Sequence, residues 1–158
     1  INNVANIVEK ESKSNKIIVV LSAMAGVTNQ LQDYLESIDS QPSPENDLVL
    51  TSGEQVSVGL LSAILKKKGI RSLPLLGWQI PIITDEYHEK AKILNINKKT
   101  IDSHFKKVDV IVLAGFQGIN TKGFITSLGR GGSDTTAVAI AASINAKTCD
   151  IYTDVEGV

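Results

Sequence analysis

The 158-residue sequence predicts an α/β fold, with a mainly parallel sheet covered by helices on both faces. Three observations carry this expectation. The runs "KIIVVL" (16–21) and "DVIVLAGF" (109–116) are continuously apolar and β-branched, as in strands buried on both faces. Stretches with helical spacing separate the strands, which is the alternation of a parallel sheet. The clusters "SAMAGVTN", "AGFQG", "GRGGSD" and "YTDVEGV" stand at strand ends where ordinary turns would suffice, and ligands of such sheets sit beyond the carboxyl ends of the strands.

The elements follow in order. Val4, Ala5, Ile7 and Val8 have helical spacing, and a strand runs from Lys16 to Leu21. Small residues then lead into a helix reaching about Ile38, and "DSQPSPEND" (39–47) is a polar loop. One long helix is expected from there to about Lys68, where Gly69 stops it. "RSLPLL" (71–76) reads as a strand, "KAKILNI" (90–96) as a short strand and Lys98–Lys107 as a polar helix. After the strand in "DVIVLAGF", the turn-rich "QGINTKG" suggests a hairpin into "FITSL". A helix begins within "GRGGSDTTAVAIAASI", and "KTCDIYTD" (147–154) is expected to form a last strand with Cys149 buried in it.

Composition excludes several classes. The formal net charge is −1 and the longest basic run, Lys66 to Lys68, falls where a helix ends, so nothing marks a nucleic-acid surface. A lone Cys149 excludes an intrachain disulfide, leaves no Cys/His spacing for zinc, and points to a reducing, cytoplasmic setting. No stretch reads as a membrane span or signal peptide. The chain begins at Ile1 rather than Met and reads as a piece of a longer protein.

Two stretches carry chemistry. In "SLGRGGSDTTAVAIAASINA" (127–146), Gly131 and Gly132 allow close backbone approach to a ligand. Ser133 is positioned to cap the helix, whose free N–H groups favour an anion. Arg130 adds a planar fork suited to a carboxylate or phosphate. Asp134 is also explained by a favourable charge near a helix N-terminus. An anion site and a plain turn both fit the run, which matches neither the Walker pattern nor a strand-preceded GxGxxG. In "TSGEQVSVGLLSAILKKKG" (51–69), Val58, Leu61 and Leu65 share one helical stripe and Glu54 heads it. A core-facing carboxylate needs a partner. A structural ion pair and a receptor for a substrate ammonium both remain open.

Six ordered stretches, "VVLSAMAGVTN", "TSGEQVSVGLLSAIL", "GWQIPIITD", "AGFQG", "LGRGGSDTTAVAIAASI" and "DIYTDVEGV", resemble the catalytic domain of the aspartokinases, in the amino acid kinase superfamily. The likeness covers nearly the whole chain, and the short spacer between "VTN" and "SGE" is most similar to the monofunctional members. The resemblance implies a three-layer αβα sandwich. It also implies transfer of the ATP γ-phosphoryl group, with Mg2+, to the side-chain carboxylate of L-aspartate. That would give 4-phospho-L-aspartate, the first step of lysine, threonine and methionine (diaminopimelate) biosynthesis. Such a nucleophile is already ionised at neutral pH and needs no general base, only alignment and positive charge.

By motif position, the resemblance puts Arg130 on the substrate α-carboxylate, Glu54 on its ammonium and Thr28 as a further hydrogen-bonding contact. Gly131, Gly132 and Ser133 would present donors to substrate or phosphate. Asp134 would orient cations or water at the transferring group, with Ser22 in the same region, and Thr153 and Asp154 would face ATP. Magnesium would enter with the nucleotide. His88 is read as a local hydrogen-bonding group, His104 as solvated and Trp78 as packing or a cleft wall. Ser127 stands where the family more often has threonine.

The family's lysine-bearing "KFGGTS"-like strand and loop, its "YTTDPR"-like segment and its regulatory ACT domains are not in these 158 residues. The expectation is therefore a partial catalytic domain from a homo-oligomeric kinase, inactive as a piece. The alternative is a truncated, non-catalytic remnant that keeps the amino-acid pocket. A sister kinase for another acceptor is disfavoured by the joint presence of "SGEQ" and "LGRGGSD".

Overall fold

The computed structural model describes residues 1–38 and 41–153. Its elements are α1 (Asn2–Glu11), β1 (Ile17–Leu21), α2 (Val27–Glu36), α3 (Pro44–Leu50), α4 (Ser52–Lys67), β2 (Ser72–Leu75), β3 (Ile82–Thr84), β4 (Ile93–Ile96), α5 (Lys98–Phe105), β5 (Val110–Ala114), β6 (Gln117–Ile119), β7 (Ile125–Ser127) and α6 (Gly132–Ile144). Three parallel strands form one sheet in the order β1-β5-β2, with Leu21 opposite Ala114 and Leu75 opposite Leu113. A four-stranded sheet, β4-β3-β6-β7, stands beside it. There β3 and β6 are parallel, and the two outer pairings are antiparallel.

Every side chain of β5 is buried, and its alternation divides the core in two. Val110, Val112 and Ala114 face Ala5 and Val8 of α1 and Val58, Leu61 and Leu65 of α4. Ile111 and Leu113 face Ile101 of α5, Ile140 of α6, and Ile80 and Ile82. Helices thus cover both faces, and the layers are those of an αβα sandwich.

The expected polar loop holds at 41–43, its residues 39 and 40 lie outside the described residues, and from Pro44 onward it is corrected, as is the single long helix. Ser43 caps α3, accepting from the Asn46 N–H at 3.2 Å, with Pro44 in the first turn. The helix then breaks at Thr51. Its hydroxyl turns back to the Asp47 carbonyl at 2.7 Å, and its own carbonyl accepts from the Gln117 side chain at 3.2 Å. The stretch 44–67 is long and apolar enough to cross a membrane by composition, against the sequence expectation, yet half of it is buried in the core and it is interrupted at Thr51.

The final strand is also corrected. Asn145 ends α6 in the left-handed conformation, φ 55°, and the Ala146 N–H closes on the Ala141 carbonyl at 2.9 Å. Residues 147–153 then run exposed and irregular, Cys149 included. A segment that buries no side chain has nothing to offset the cost of ordering it as a strand.

Candidate amino-acid and phosphate site

The sheet's carboxyl end gathers three helix starts. β1 and β5 run side by side and end together, with the Gly115 N–H donating to the Leu21 carbonyl at 2.9 Å. The turn after β1 leads into α2 through Gly26, at φ 80°. Gly53, in the first turn of α4, packs so closely on that turn that an added Cβ would stand 2.8 Å from Ala23 Cβ. After β5, an added Cβ on Gly115 would stand 2.7 to 2.9 Å from atoms of Ser133. The Phe116 N–H donates to Thr136 Oγ1 at 3.2 Å, fixing α6 against the same corner. Ser22, Thr28, Glu54 and the start of α6 therefore border one end of the sheet.

Glu54 is the most constrained of these groups. It is 3% exposed, and its Oε1 accepts from the Ala23 N–H at 3.0 Å. Its Oε2 is buried and has no hydrogen-bond partner among the described residues. Burial pushes the carboxyl up from the usual glutamate range to about 7, against the lowering effect of the N–H groups of Ala23 and of Glu54 itself. Glu54 is thus a buried carboxyl held by one oxygen, with the other unpaired among the described residues. The structural ion pair left open by the sequence is absent among the described residues.

The α6 corner differs from expectation in one respect. Ser133 does not cap the helix; Gly131 occupies the cap position at φ 68° and supplies no side chain, while Ser133 lies inside the first turn against Gly115. The first helical bond to the cap comes from Thr135 N–H to the Gly131 carbonyl at 2.9 Å, and the Gly132 N–H is taken by the Gly129 carbonyl at 3.0 Å. The N–H groups of Ser133 and Asp134 lie ahead of it, without backbone acceptors among the described residues, at the positive end of the helix. Arg130 is exposed and makes no ion pair with any carboxylate among the described residues, and Asp134 is exposed in the first turn. Ser22 is exposed and Thr28 half-buried. Thr153 is exposed beyond α6, and Asp154 lies outside the described residues.

Sequence reading missed the buried Asp47. It accepts from Ser127 Oγ at 2.5 Å, from the Glu89 N–H at 3.1 Å and from His88 Nδ1 at 2.7 Å. The local role expected of His88 is this bond; His104 is half-buried rather than fully solvated, and Trp78 is 42% exposed. Asp47 lies seven residues before Glu54, so extending the apolar stripe of α4 backwards would have flagged it. Gln117 was also missed; fully buried, it links the Thr51 carbonyl to the Gly77 N–H, the latter at 3.3 Å. Among the described residues no group of three or more His, Cys, Asp or Glu side chains gathers as a metal site. Two surface depressions lie away from the cluster, one beside the end of α6 and one beside residues 86–92.

The described corner thus brings helix starts without side-chain caps, an exposed arginine and a buried carboxyl to the carboxyl end of a parallel sheet in an α/β fold. The model of the amino acid kinase family matches residues 1–158, and the chain belongs to that family. It is 47% identical over its whole length to an aspartokinase of Geobacillus stearothermophilus and 48% identical to an aspartate kinase of Pseudomonas putida, covering 39% of each. The chain thus spans about two-fifths of the length of these curated relatives. Among solved structures, the aspartate kinase of Synechocystis superposes with a TM-score of 0.78 at 39% identity, over 96% of this chain and 25% of that one. Escherichia coli aspartokinase III in complex with aspartate and ADP superposes with a TM-score of 0.85 over 99% of this chain and 46% of that one; at 23% identity, this shows the fold.

Proposed function

We propose that this chain carries the amino-acid side of an ATP-dependent aspartokinase active site, and that its whole protein forms 4-phospho-L-aspartate from L-aspartate and ATP in the cytoplasm. The observation that carries the reading is the unpartnered, buried Oε2 of Glu54. An α-ammonium brings the donors that this oxygen lacks, and the charge-assisted contact offsets the cost of ionising a buried carboxyl. Arg130 would take the α-carboxylate through its two-pronged guanidinium, with the Thr28 hydroxyl as a further contact. Both ends of the amino acid are then fixed and its side-chain carboxylate is free.

That carboxylate attacks the γ-phosphorus as the bond to the ADP oxygen breaks, so one P–O bond forms, one breaks, and no proton must move. The protein's contribution is alignment and charge. The N–H groups of Ser133 and Asp134 and the hydroxyls of Ser133 and Ser22 would meet phosphate oxygens, a reading supported by the left-handed Gly131 that keeps the helix start bare. The Asp134 carboxylate is assigned to hold cationic groups or water there. Magnesium would come with the nucleotide, held largely by phosphate oxygens and water, and would supply positive charge there. Thr153 and Asp154 are assigned to the nucleotide side.

The chain is proposed as part of a larger catalytic domain in a homo-oligomeric enzyme with regulatory ACT domains, the remaining sequence supplying a phosphate-binding lysine. The test is a coupled ADP assay with trapping of aspartyl phosphate as its hydroxamate. It compares residues 1–158 with a chain extended at both ends by the matching aspartokinase segments. Aspartate-dependent turnover in the extended chain and little in residues 1–158 is expected. Equal rates in both would refute the role given to the added lysine. Aspartate binding without turnover in the extended chain would favour a non-catalytic remnant, and absence of both would overturn the reading.

A further inference from the structure

We propose that Asp47 is a positioning residue for Arg130, holding the substrate-binding arginine in place through a buried link between α3 and the β7–α6 turn; this rests on the reading of Arg130 above. Asp47 is fully buried and sits on α3, whereas Arg130 stands at the opposite end of a chain of contacts. Two routes join them. Directly, the Ser127 hydroxyl donates to Asp47 Oδ1 at 2.5 Å, and Ser127 ends β7 three residues before Arg130.

The second route passes through Glu89. Its backbone adopts φ 61°, a left-handed conformation that a side-chain-bearing residue holds only when its surroundings fix it. Two residues of α3 do so. Asp47 accepts the Glu89 N–H at 3.1 Å, and Asn46 Nδ2 donates to the Glu89 carboxylate at 2.9 Å. The Glu89 carbonyl then lies against Gly129, where an added Cβ would stand 3.2 Å from it, and the Ala91 N–H donates to the Ser127 carbonyl at 2.9 Å. Segment 88–91 is thereby stapled along 127–129, and Arg130 follows directly.

His88 completes the set. Because a carboxylate only accepts, the ring atom Nδ1, 2.7 Å from Asp47 Oδ2, carries the proton. Asp47 thus accepts from three donors, one at the end of β7, where the Arg130 turn begins, and two in segment 88–89 packed beside that turn. Shortening or neutralising it would let that turn shift while the sheet remains intact. A positioning role predicts a selective loss for the amino acid, since an ångström of displacement at Arg130 spoils a two-pronged contact.

The test is steady-state kinetics of Asp47→Asn, Ser127→Ala and Ser127→Thr in the full-length enzyme, beside Arg130→Lys and thermal melting of each variant. Asp47→Asn should raise the aspartate KM about tenfold and leave the ATP KM within about twofold. Ser127→Ala should move it in the same direction by less, and Ser127→Thr, which keeps the hydroxyl, should restore it. A purely structural Asp47 would lower the melting temperature and the active fraction while changing neither KM, which overturns the proposal. If Asp47→Asn does not fold, Ser127→Ala decides by the same criterion. A raised aspartate KM in Arg130→Lys with none in the other variants sinks the positioning role alone; no change in Arg130→Lys sinks the underlying reading and this proposal with it.

Discussion

The backbone N–H of Ala23, in the turn after β1, donates to Glu54 Oε1 in the first turn of α4 at 3.0 Å and leaves Oε2 buried and free. One fixed oxygen sets the carboxylate plane, and the other stays unpaired beneath the surface among the described residues. The close packing of Gly53 on Ala23 makes this geometry possible, because any side chain at position 53 would push the two segments apart.

Glu54→Gln keeps the shape and the Ala23 contact but removes the charge. In the full-length enzyme it should raise the aspartate KM by about ten- to a hundredfold, the equivalent of ~1.5 to 3 kcal/mol for a charge-assisted contact. The ATP KM should barely move. Initial-rate kinetics with each substrate varied in turn check this, and an unchanged aspartate KM would remove Glu54 from the ammonium site.

Aspartate binding should be linked to proton release. The free Glu54 carboxyl titrates at about 7, whereas a bound ammonium requires it ionised. Binding should therefore release close to ~1 proton at pH 6 and only ~0.1 at pH 8. Calorimetry in buffers of different ionisation enthalpy reads this directly, and Glu54→Gln should abolish the pH-dependent part.

The same group makes a signed prediction for stability. Its folded pKa is raised above its unfolded value, so its contribution is fully present below the unfolded pKa near 4.5 and is lost as pH rises through about 7. The loss is on the order of 3 kcal/mol at most. Denaturant melts from pH 4.5 to 8 should show wild type falling relative to Glu54→Gln, and parallel curves would contradict the burial argument.

Arg130→Lys should impair aspartate binding far more than ATP binding, because an ammonium cannot reproduce two parallel N–H···O bonds. Titration of each ligand separately tests this. Equal losses would move Arg130 to the nucleotide side.

Gly115→Ala should cost roughly 1 to 3 kcal/mol, since the new carbon must displace the start of α6. Ser133 Cα itself would lie 2.9 Å from that carbon, so Ser133→Gly should not rescue it. Thermal melting of the single and double variants decides the matter, and rescue would mean that the side chain alone sets the packing.

What the sequence made legible was local. The strands β1 and β5 showed as apolar runs because burial on both faces leaves no polar position, and Glu54 showed because it interrupts an apolar stripe. What it hid depends on distant partners. The break at Thr51 relies on Gln117, 66 residues away, and the environment of Asp47 relies on Ser127, 80 residues away. No turn or propensity signal encodes either. The strand expected at 147–154 fails over 147–153 for the converse reason, since a β-like composition makes no strand in a segment that buries none of its side chains.

The order β1-β5-β2 leaves β1 and β2 each with one flank that pairs with no strand among the described residues. Those flanks are not equivalent. β2 carries Pro74, whose missing N–H interrupts a ladder, whereas β1 is "IIVVL", with neither proline nor charge to discourage a newcomer. The two edges therefore differ in kind, the β1 edge being free of the proline that interrupts β2.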